Sequence, residues 1–416
     1  MFPVGMKKAF NEVWVGVSTH MKNTNQQIGW PKGFRSSGIS AGIKADGSLD
    51  MALIYSDVSA AAAGVFTTNQ VCAAPVKLCR AHLVEPQARA IVVNSGVANA
   101  CTGVVGMEAA MLMASQTAGE LACLPEEILV CSTGKIGPQL PMDKIGPGLV
   151  ALADSAAVDQ VDVTARAMMT TDTRSKQVVR DIELGGVSVR LTGLAKGAGM
   201  IEPNMATMLA FITTDAGVEP SLLQEVLTSA VDQSFNRITV DGDQSTNDTV
   251  LLLANGASGA VVEKTEPVGY GAFVSALNEI CFDLAMMIVR DGEGADRFVT
   301  VTVEGAQTAD EADLAARSVA NSLLNKTAWA GTYPDWGRIM DAIGYAAAQV
   351  DEERVNIFYG TTQAVEGGVQ AASSMEEMVK AVSEMELLIR IELGLGTGSA
   401  TVYTCNCTEA YVQINV

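Results

Sequence analysis

The chain has 416 residues, 48% hydrophobic, 18% charged and 5% aromatic, a compact enzyme-like balance that excludes a disordered or repeat protein and leaves room for two or more domains. Its net charge of −20 argues against nucleic acid or an anionic membrane as partner, since both need clustered Lys and Arg. Eight cysteines in apolar contexts, two histidines (His20 and His82) and no uninterrupted apolar run of membrane-spanning length point to a cytoplasmic enzyme without metal or cofactor.

Residues 1–30 read as an N-terminal extension in which Lys7, Lys8 and Lys22 stand with the single acid Glu12. It has neither the apolar core of a signal peptide nor the arginines of a transit peptide. From Gly33 onward, short apolar runs followed by turn residues predict strands at 51–56, 90–94 and 128–132, with helices at 106–121 and 145–157. Strands follow at 187–191 and 208–213, then a helix at 220–234 opened by Pro220. Next come a strand at 249–254, a long helix at 270–290 and an alternating strand at 299–303. The last third predicts helices at 311–325, 329–349 and 374–382, and strands at 387–393 and 400–404. Strands and helices do not alternate strictly, so the expected fold class is α+β.

The most informative segment runs from Lys196-Gly-Ala-Gly199 through Pro203-Asn-Met-Ala206 into Thr207-Met-Leu-Ala-Phe. Gly199 and Pro203 favour a turn. Ala206 leaves its carbonyl open, and the Thr207 hydroxyl stands beside it, a pairing suited to an N→O acyl shift followed by hydrolysis of the ester. The product begins with Thr207, whose α-amine, with an ordinary pKa of about 8, serves as base for its own hydroxyl. A buried strand after an ordinary loop is the better explanation of an Ala-Thr pair taken alone, and it is the rest of the chain that overturns it. With only two histidines in the chain, a nucleophile that needs no imidazole is the favoured choice.

Other segments admit two readings each. Ser132-Thr133-Gly134 offers a hydroxyl and a flexible amide, as an oxyanion hole requires, or a plain turn. Asn94-Ser-Gly through Gly103 is a site lining or a tight connection. Thr170-Thr-Asp-Thr173 and Thr213-Thr-Asp215 hold an amino acid's charged groups or cap the local backbone. Asn236 to Asp248 carries three aspartates without the closing glutamate of a calcium loop. Glu293 is an exposed loop residue or the receptor for a cationic amine, and Arg338 of Trp336-Gly-Arg338 meets a carboxylate of substrate or of a domain contact.

Taken in order, these motifs resemble the ornithine acetyltransferases (glutamate N-acetyltransferases) of cyclic arginine biosynthesis. Further segments carry the resemblance: Gly33-Phe-Arg-Ser-Ser-Gly38, Gly64-Val-Phe-Thr-Thr-Asn69, Ser245-Thr-Asn-Asp248, Val289-Arg-Asp-Gly-Glu-Gly294 and Tyr411-Val-Gln-Ile-Asn415. The resemblance implies self-cleavage between Ala206 and Thr207, Thr207 as nucleophile, and Thr133 and Gly134 as oxyanion hole. It implies substrate contacts at Thr170, Lys196, Thr207, Glu293 and Asn415. It further implies a four-layer α/β/β/α architecture like that of N-terminal-nucleophile hydrolases. Residues 31–206 would form an α chain and 207–416 a β chain with a smaller C-terminal α/β domain at about 300–400, assembled as α2β2. The expected reaction moves acetyl from N2-acetylornithine to glutamate by ping-pong through acetyl-Thr207, with acetyl-CoA as an optional co-substrate. The rival is a self-processing aminopeptidase or amidase of related fold. Val97, Lys135 and Asp335 depart from the usual pattern, and the chain stops one residue past Asn415, so a terminal hydroxyl contact of many relatives is expected to be absent.

Overall fold

The computed structural model describes residues 28–202 and 208–416. Its strands are β1 (Phe34–Ile39), β2 (Met51–Phe66), β3 (Gln87–Val97), β4 (Ile128–Lys135), β5 (Lys176–Leu184), β6 (Val187–Lys196), β7 (Leu209–Thr214), β8 (Gly217–Val218), β9 (Thr249–Ala254) and β10 (Val261–Val262). The C-terminal part adds β11 (Phe298–Ala306), β12 (Asn356–Tyr359), β13 (Thr362–Glu366), β14 (Val369–Gln370), β15 (Glu386–Glu392) and β16 (Gly398–Cys405). The helices are α1 (Ala74–His82), α2 (Gly103–Leu121), α3 (Met142–Ser155), α4 (Val161–Met168), α5 (Pro220–Gln233) and α6 (Pro267–Arg290). They continue with α7 (Ala309–Asn321), α8 (Leu323–Ala330), α9 (Trp336–Gly344), α10 (Met375–Val382) and α11 (Glu409–Ile414).

One sheet runs in the order β4-β3-β2-β9-β7-β6-β5, with β1 paired to β2. Side chains alternate along each strand, and here the alternation sorts them into separate cores. Val250 and Leu252 of β9 and Ala210 and Ile212 of β7 pack with α5 and α6. Ala90 and Val92 of β3 and Ile128 and Val130 of β4 pack with α1, α2 and α3. Their neighbours Ile91, Val93, Leu129, Cys131, Leu209, Phe211, Leu251 and Leu253 share a third core between the two halves of the sheet, which α4 helps fill. The arrangement is α+β with helices outside and two β layers within. Both β layers are cut from one folded sheet.

The 16-residue β2 makes this folding possible. Its start pairs with β1 and β3, its end with β9, and its register against β3 shifts between Tyr55 and Ala60. A bulge of this kind bends a strand and increases its twist. The alanines at 60–63 keep the bent stretch thin enough to lie between packed layers. The strand expected over 51–56 therefore continues ten residues further, because sheet pairing rather than apolar content sustains it.

A second sheet, β14-β13-β12-β15-β11-β16, encloses its own core with α7, α9 and α10. Here two expected helices end early. Ser322 leaves helical geometry and accepts from the Asn325 amide, closing α7 and opening α8. The helix expected over 329–349 is interrupted at Gly331–Asp335, where Thr332 has φ +54°, and α9 ends at Gly344. Helix α6 is long and apolar enough by composition to cross a membrane, but its Phe273, Leu277, Ile280 and Leu284 are buried in the protein core.

The core between the β layers holds the fold of the sheet. Replacing fully buried Phe211 by Ala is expected to lower unfolding free energy by about 3–5 kcal/mol. Truncating exposed Leu124, 64% accessible, should change it by less than about 0.5 kcal/mol. Urea unfolding of the two variants checks the contrast.

Candidate active site

Strands β4 and β6 lie far apart in the sheet order, yet their ends meet: Lys196 Nζ donates to Thr133 Oγ1 at 3.3 Å. Folding of the sheet brings them together. Thr133 and Lys196 are both buried. Because the Thr133 hydroxyl accepts from Lys196, its own proton stays available for another oxygen. Beside it, Gly134 has φ +130° and lies so close to β3 that an added Cβ would sit 2.3 Å from the Gly96 carbonyl carbon. Only glycine fits both the torsion and the approach. The motifs at 94–96 and 132–134, expected to follow strands, are part of β3 and β4 themselves, and Ser132 Oγ donates to Asn94 Oδ1 at 2.6 Å.

Asp172 organises the floor of the site. It receives Lys176 Nζ at 2.7 Å, the Gly197 amide at 2.6 Å and the Thr170 amide at 3.0 Å, with Lys196 Nζ 4.0 Å away. Lys176 also reaches Asp291 Oδ2 at 2.6 Å, and Asp291 in turn accepts from Thr173 and Arg174. Burial alone would raise the Asp172 carboxyl. Lys196, Lys176 and the Gly197 amide outweigh it and hold the group well below the ordinary carboxylate range. Burial lowers the Lys196 ammonium despite the opposing charge of Asp172.

On the other side, Glu293 donates its backbone amide to the Ala198 carbonyl at 2.9 Å, and its carboxylate accepts from Asn415 Nδ2 at 2.7 Å. At Gly199 an added Cβ would fall 2.3 Å from the Glu293 carboxyl carbon, so a larger residue would push that carboxylate aside. Thr133, Gly134, Thr170, Lys196, Glu293 and Asn415 thus surround the strand-to-loop run 196–199. Ala206 and Thr207, the expected cleavage pair, lie outside the described residues. The described residues on either flank are anchored. Asp241 accepts the Met200 and Ile201 amides at 2.6 and 2.8 Å. Asp248 Oδ1 accepts the Met208 amide at 2.6 Å, and Leu209 pairs with Lys196 across β6 and β7.

Several residues find structural roles. Asp215 caps the Lys32 and Arg190 amides, Arg338 pairs with Asp335, and Cys405 and Cys407 are free thiols. Asp241 and Asp248 serve backbone amides in place of a calcium ion. No cluster of metal-binding side chains occurs among the described residues. Pattern reasoning missed Lys176, Asp291 and Lys44, whose ammonium ties Leu49 to the carbonyl of Met169 beside Thr170. The available signal was a charged residue set among glycines and hydroxyls, which alone does not distinguish burial from exposure.

The ArgJ family model matches residues 35–416. An arginine biosynthesis bifunctional protein ArgJ from Geobacter sulfurreducens is 49% identical over 92% of this chain and 98% of its own. A crystal structure of the Bacillus halodurans arginine biosynthesis bifunctional protein is 37% identical, with a TM-score of 0.46 over 49% of this chain and 95% of that one. Ornithine acetyltransferase from Mycobacterium tuberculosis, solved with ornithine, is 39% identical, with a TM-score of 0.38 over 42% of this chain and 92% of that one.

The Asp172 cluster has a pH signature. A carboxyl depressed in the native state stabilises above its unfolded pKa of about 4, and that contribution is lost as pH falls through the lower native value. Asp172→Asn is expected to lose about 3–5 kcal/mol at pH 7, because Lys176 and Lys196 lose a buried counter-charge. Its stability should also fall less steeply than wild type below about pH 4, as read from urea midpoints across pH.

Proposed function

The chain belongs to the ArgJ family, and from that premise we propose that this site moves acetyl from N2-acetylornithine to glutamate through an ester on Thr207. The protein is an acyltransferase of arginine biosynthesis. One observation carries the assignment of roles. The Thr133 hydroxyl is held by Lys196 with its proton free, and Lys196 pairs with Leu209, two residues after Thr207.

Maturation and transfer share one chemistry. The Thr207 hydroxyl adds to the Ala206 carbonyl, the C–N bond breaks as the proton passes to nitrogen and frees the α-amine of Thr207, and water hydrolyses the ester to the Ala206 carboxylate and the Thr207 hydroxyl. That amine then takes the hydroxyl proton as Oγ attacks the acetyl carbonyl. The negative oxygen of the tetrahedral intermediate is met by the Thr133 hydroxyl and the Gly134 amide, in the field of the Lys196 ammonium. Collapse expels the ornithine amine, which leaves with the proton, and the amine of glutamate takes the acetyl group by the reverse sequence. Glu293, steadied by Asn415, suits the side-chain ammonium of ornithine, and Thr170 and Lys196 suit the polar groups nearer the acetyl.

The cut leaves a single folded body, because pairing across β6–β7 and β2–β9 joins residues on both sides of it. Assembly as α2β2, a cytoplasmic location, independence of metal and cofactor, and direct use of acetyl-CoA are parts of the same proposal.

Denaturing electrophoresis of the purified protein should give two fragments of nearly equal size, the second beginning Thr207-Met208-Leu209, which migrate together under native conditions. Thr207→Ala should abolish both cutting and transfer. Incubation with acetylornithine and glutamate should yield N-acetylglutamate. Free acetate as the main product would favour the amidase reading.

Thr133→Ala should lower kcat on the order of 100-fold with a small change in KM, since the bond it removes forms only to the oxyanion. Rates are to be measured on the fully cut fraction. A raised KM at normal kcat would make Thr133 a binding residue.

A further inference from the structure

The loop that leads into β9 carries two consecutive buried side chains, Asn247 and Asp248, to which the mechanism assigns no part. Asn247 is buried, and its Nδ2 donates to the Ser132 carbonyl at 2.8 Å and to the Ala98 carbonyl at 2.6 Å. The Ser132 carbonyl belongs to the peptide whose nitrogen is that of Thr133. Asp248 is fully buried, and its Oδ1 accepts the Met208 amide at 2.6 Å. That amide belongs to the peptide whose carbonyl is that of Thr207. Adjacent residues of one loop therefore grip the backbone on both reacting sides, one peptide beside the oxyanion donor and one beside the nucleophile.

We propose that Asn247 and Asp248 are positioning residues for acyl transfer, a clamp that ties the end of β4 carrying Thr133 to the amide of Met208, the residue that follows Thr207 in the chain. The proposal rests on Thr207 being the nucleophile. The clamp has little slack. The loop's own backbone is tied down on both sides: the Asp248 carbonyl accepts the Thr67 amide at 3.0 Å, and the Thr249 amide donates to the Met208 carbonyl at 3.1 Å. Asn247 is fixed further by its own turn, its amide donating to Ser245 Oγ at 3.0 Å.

The chemical form of Asp248 follows from its surroundings. Its second oxygen, Oδ2, is buried without a hydrogen-bond partner, and an isolated buried carboxylate oxygen is costly. Burial accordingly pushes this carboxyl well above the ordinary range, against the opposing Met208 amide and Lys196. Asp248 grips through Oδ1 as a hydrogen-bond acceptor, and its Oδ2 makes no bond that the grip uses. An asparagine presents the same oxygen at the same place, so the clamp needs an acceptor rather than a charge.

The test compares Asp248→Asn, Asp248→Ala and Asn247→Ser, each as the full chain, with kinetics taken on the cut fraction. Asp248→Asn is expected to keep kcat within about threefold of wild type. Asp248→Ala should lower kcat on the order of 100-fold while KM moves less than about threefold, as for a displacement of about 1 Å between reacting groups. Asn247→Ser should lower kcat in the same way from the Ser132 side. Should Asp248→Ala fail to fold, the pair Asp248→Asn and Asn247→Ser still decides. Normal kcat in Asn247→Ser, or equal losses in the Asn and Ala variants at 248, overturns the clamp. Transfer that persists in Thr207→Ala removes the nucleophile reading and the clamp with it. An inactive Thr207→Ala beside an Asp248→Ala of normal kcat removes the clamp alone.

Discussion

The buried carboxylate of Asp172 is the point on which the site depends. It sits where the connection from α4 to β5 passes under the end of β6, and it gathers Lys176, Lys196 and two backbone amides about itself. Charges at such depth are tolerated because each has an opposite partner, and Asp172 and Lys176 have several hydrogen bonds besides. Lys176 is shared between Asp172 and Asp291, which joins the end of α6 to the same cluster. Lys196 is left only loosely engaged by Asp172, at 4.0 Å. Its ammonium therefore reaches Thr133 as well, at 3.3 Å. A tighter bond to Asp172 would spend that charge on structure.

Close backbone approach is the second constraint. Gly134 lies against the Gly96 backbone at a distance no side chain permits, and Gly199 lies against the Glu293 carboxylate, which a Cβ there would displace. These contacts let the ends of β3, β4 and β6 converge into a small space while their hydroxyl and amide groups remain turned to it. Rigid strands supply the convergence, and glycines supply the room. A site mounted on strand ends is held more firmly than one mounted on a free loop, which suits chemistry that depends on an oxygen being met at hydrogen-bond distance.

Charge is distributed unevenly to match. The chain as a whole carries −20, yet Lys44, Lys176 and Lys196 all stand at or beneath the site. Substrates that combine carboxylates with amines need both signs at close quarters. In the proposed roles Glu293 with Asn415 supplies one, and Lys196 supplies the other. Because the lysines are buried or half-buried, salt screens them less than it screens surface charge.

Much of this was legible in the amino-acid sequence. Strongly periodic segments such as α2, α5, α6 and β9 emerge from hydrophobic spacing because each presents one or two faces to a core. The Ala206-Thr207 pair proposed for self-cleavage and the glycines before it were singled out by residue chemistry, and the order of the motifs places the chain in its family. The length of β2, the break between α8 and α9 and the shortness of α7 did not, since pairing partners and local caps set them rather than apolar pattern. Sequence named Thr133, Thr170, Lys196, Glu293 and Asn415 one at a time. Only the tertiary structure decided that β4 and β6, distant along the sheet, meet at their ends, and that Lys176, Asp291 and Asp248 are buried beside them. The physical reason is that a hydrophobic pattern specifies which face of a strand is covered. Which strand end faces which is settled by the bend of one sheet around its own core.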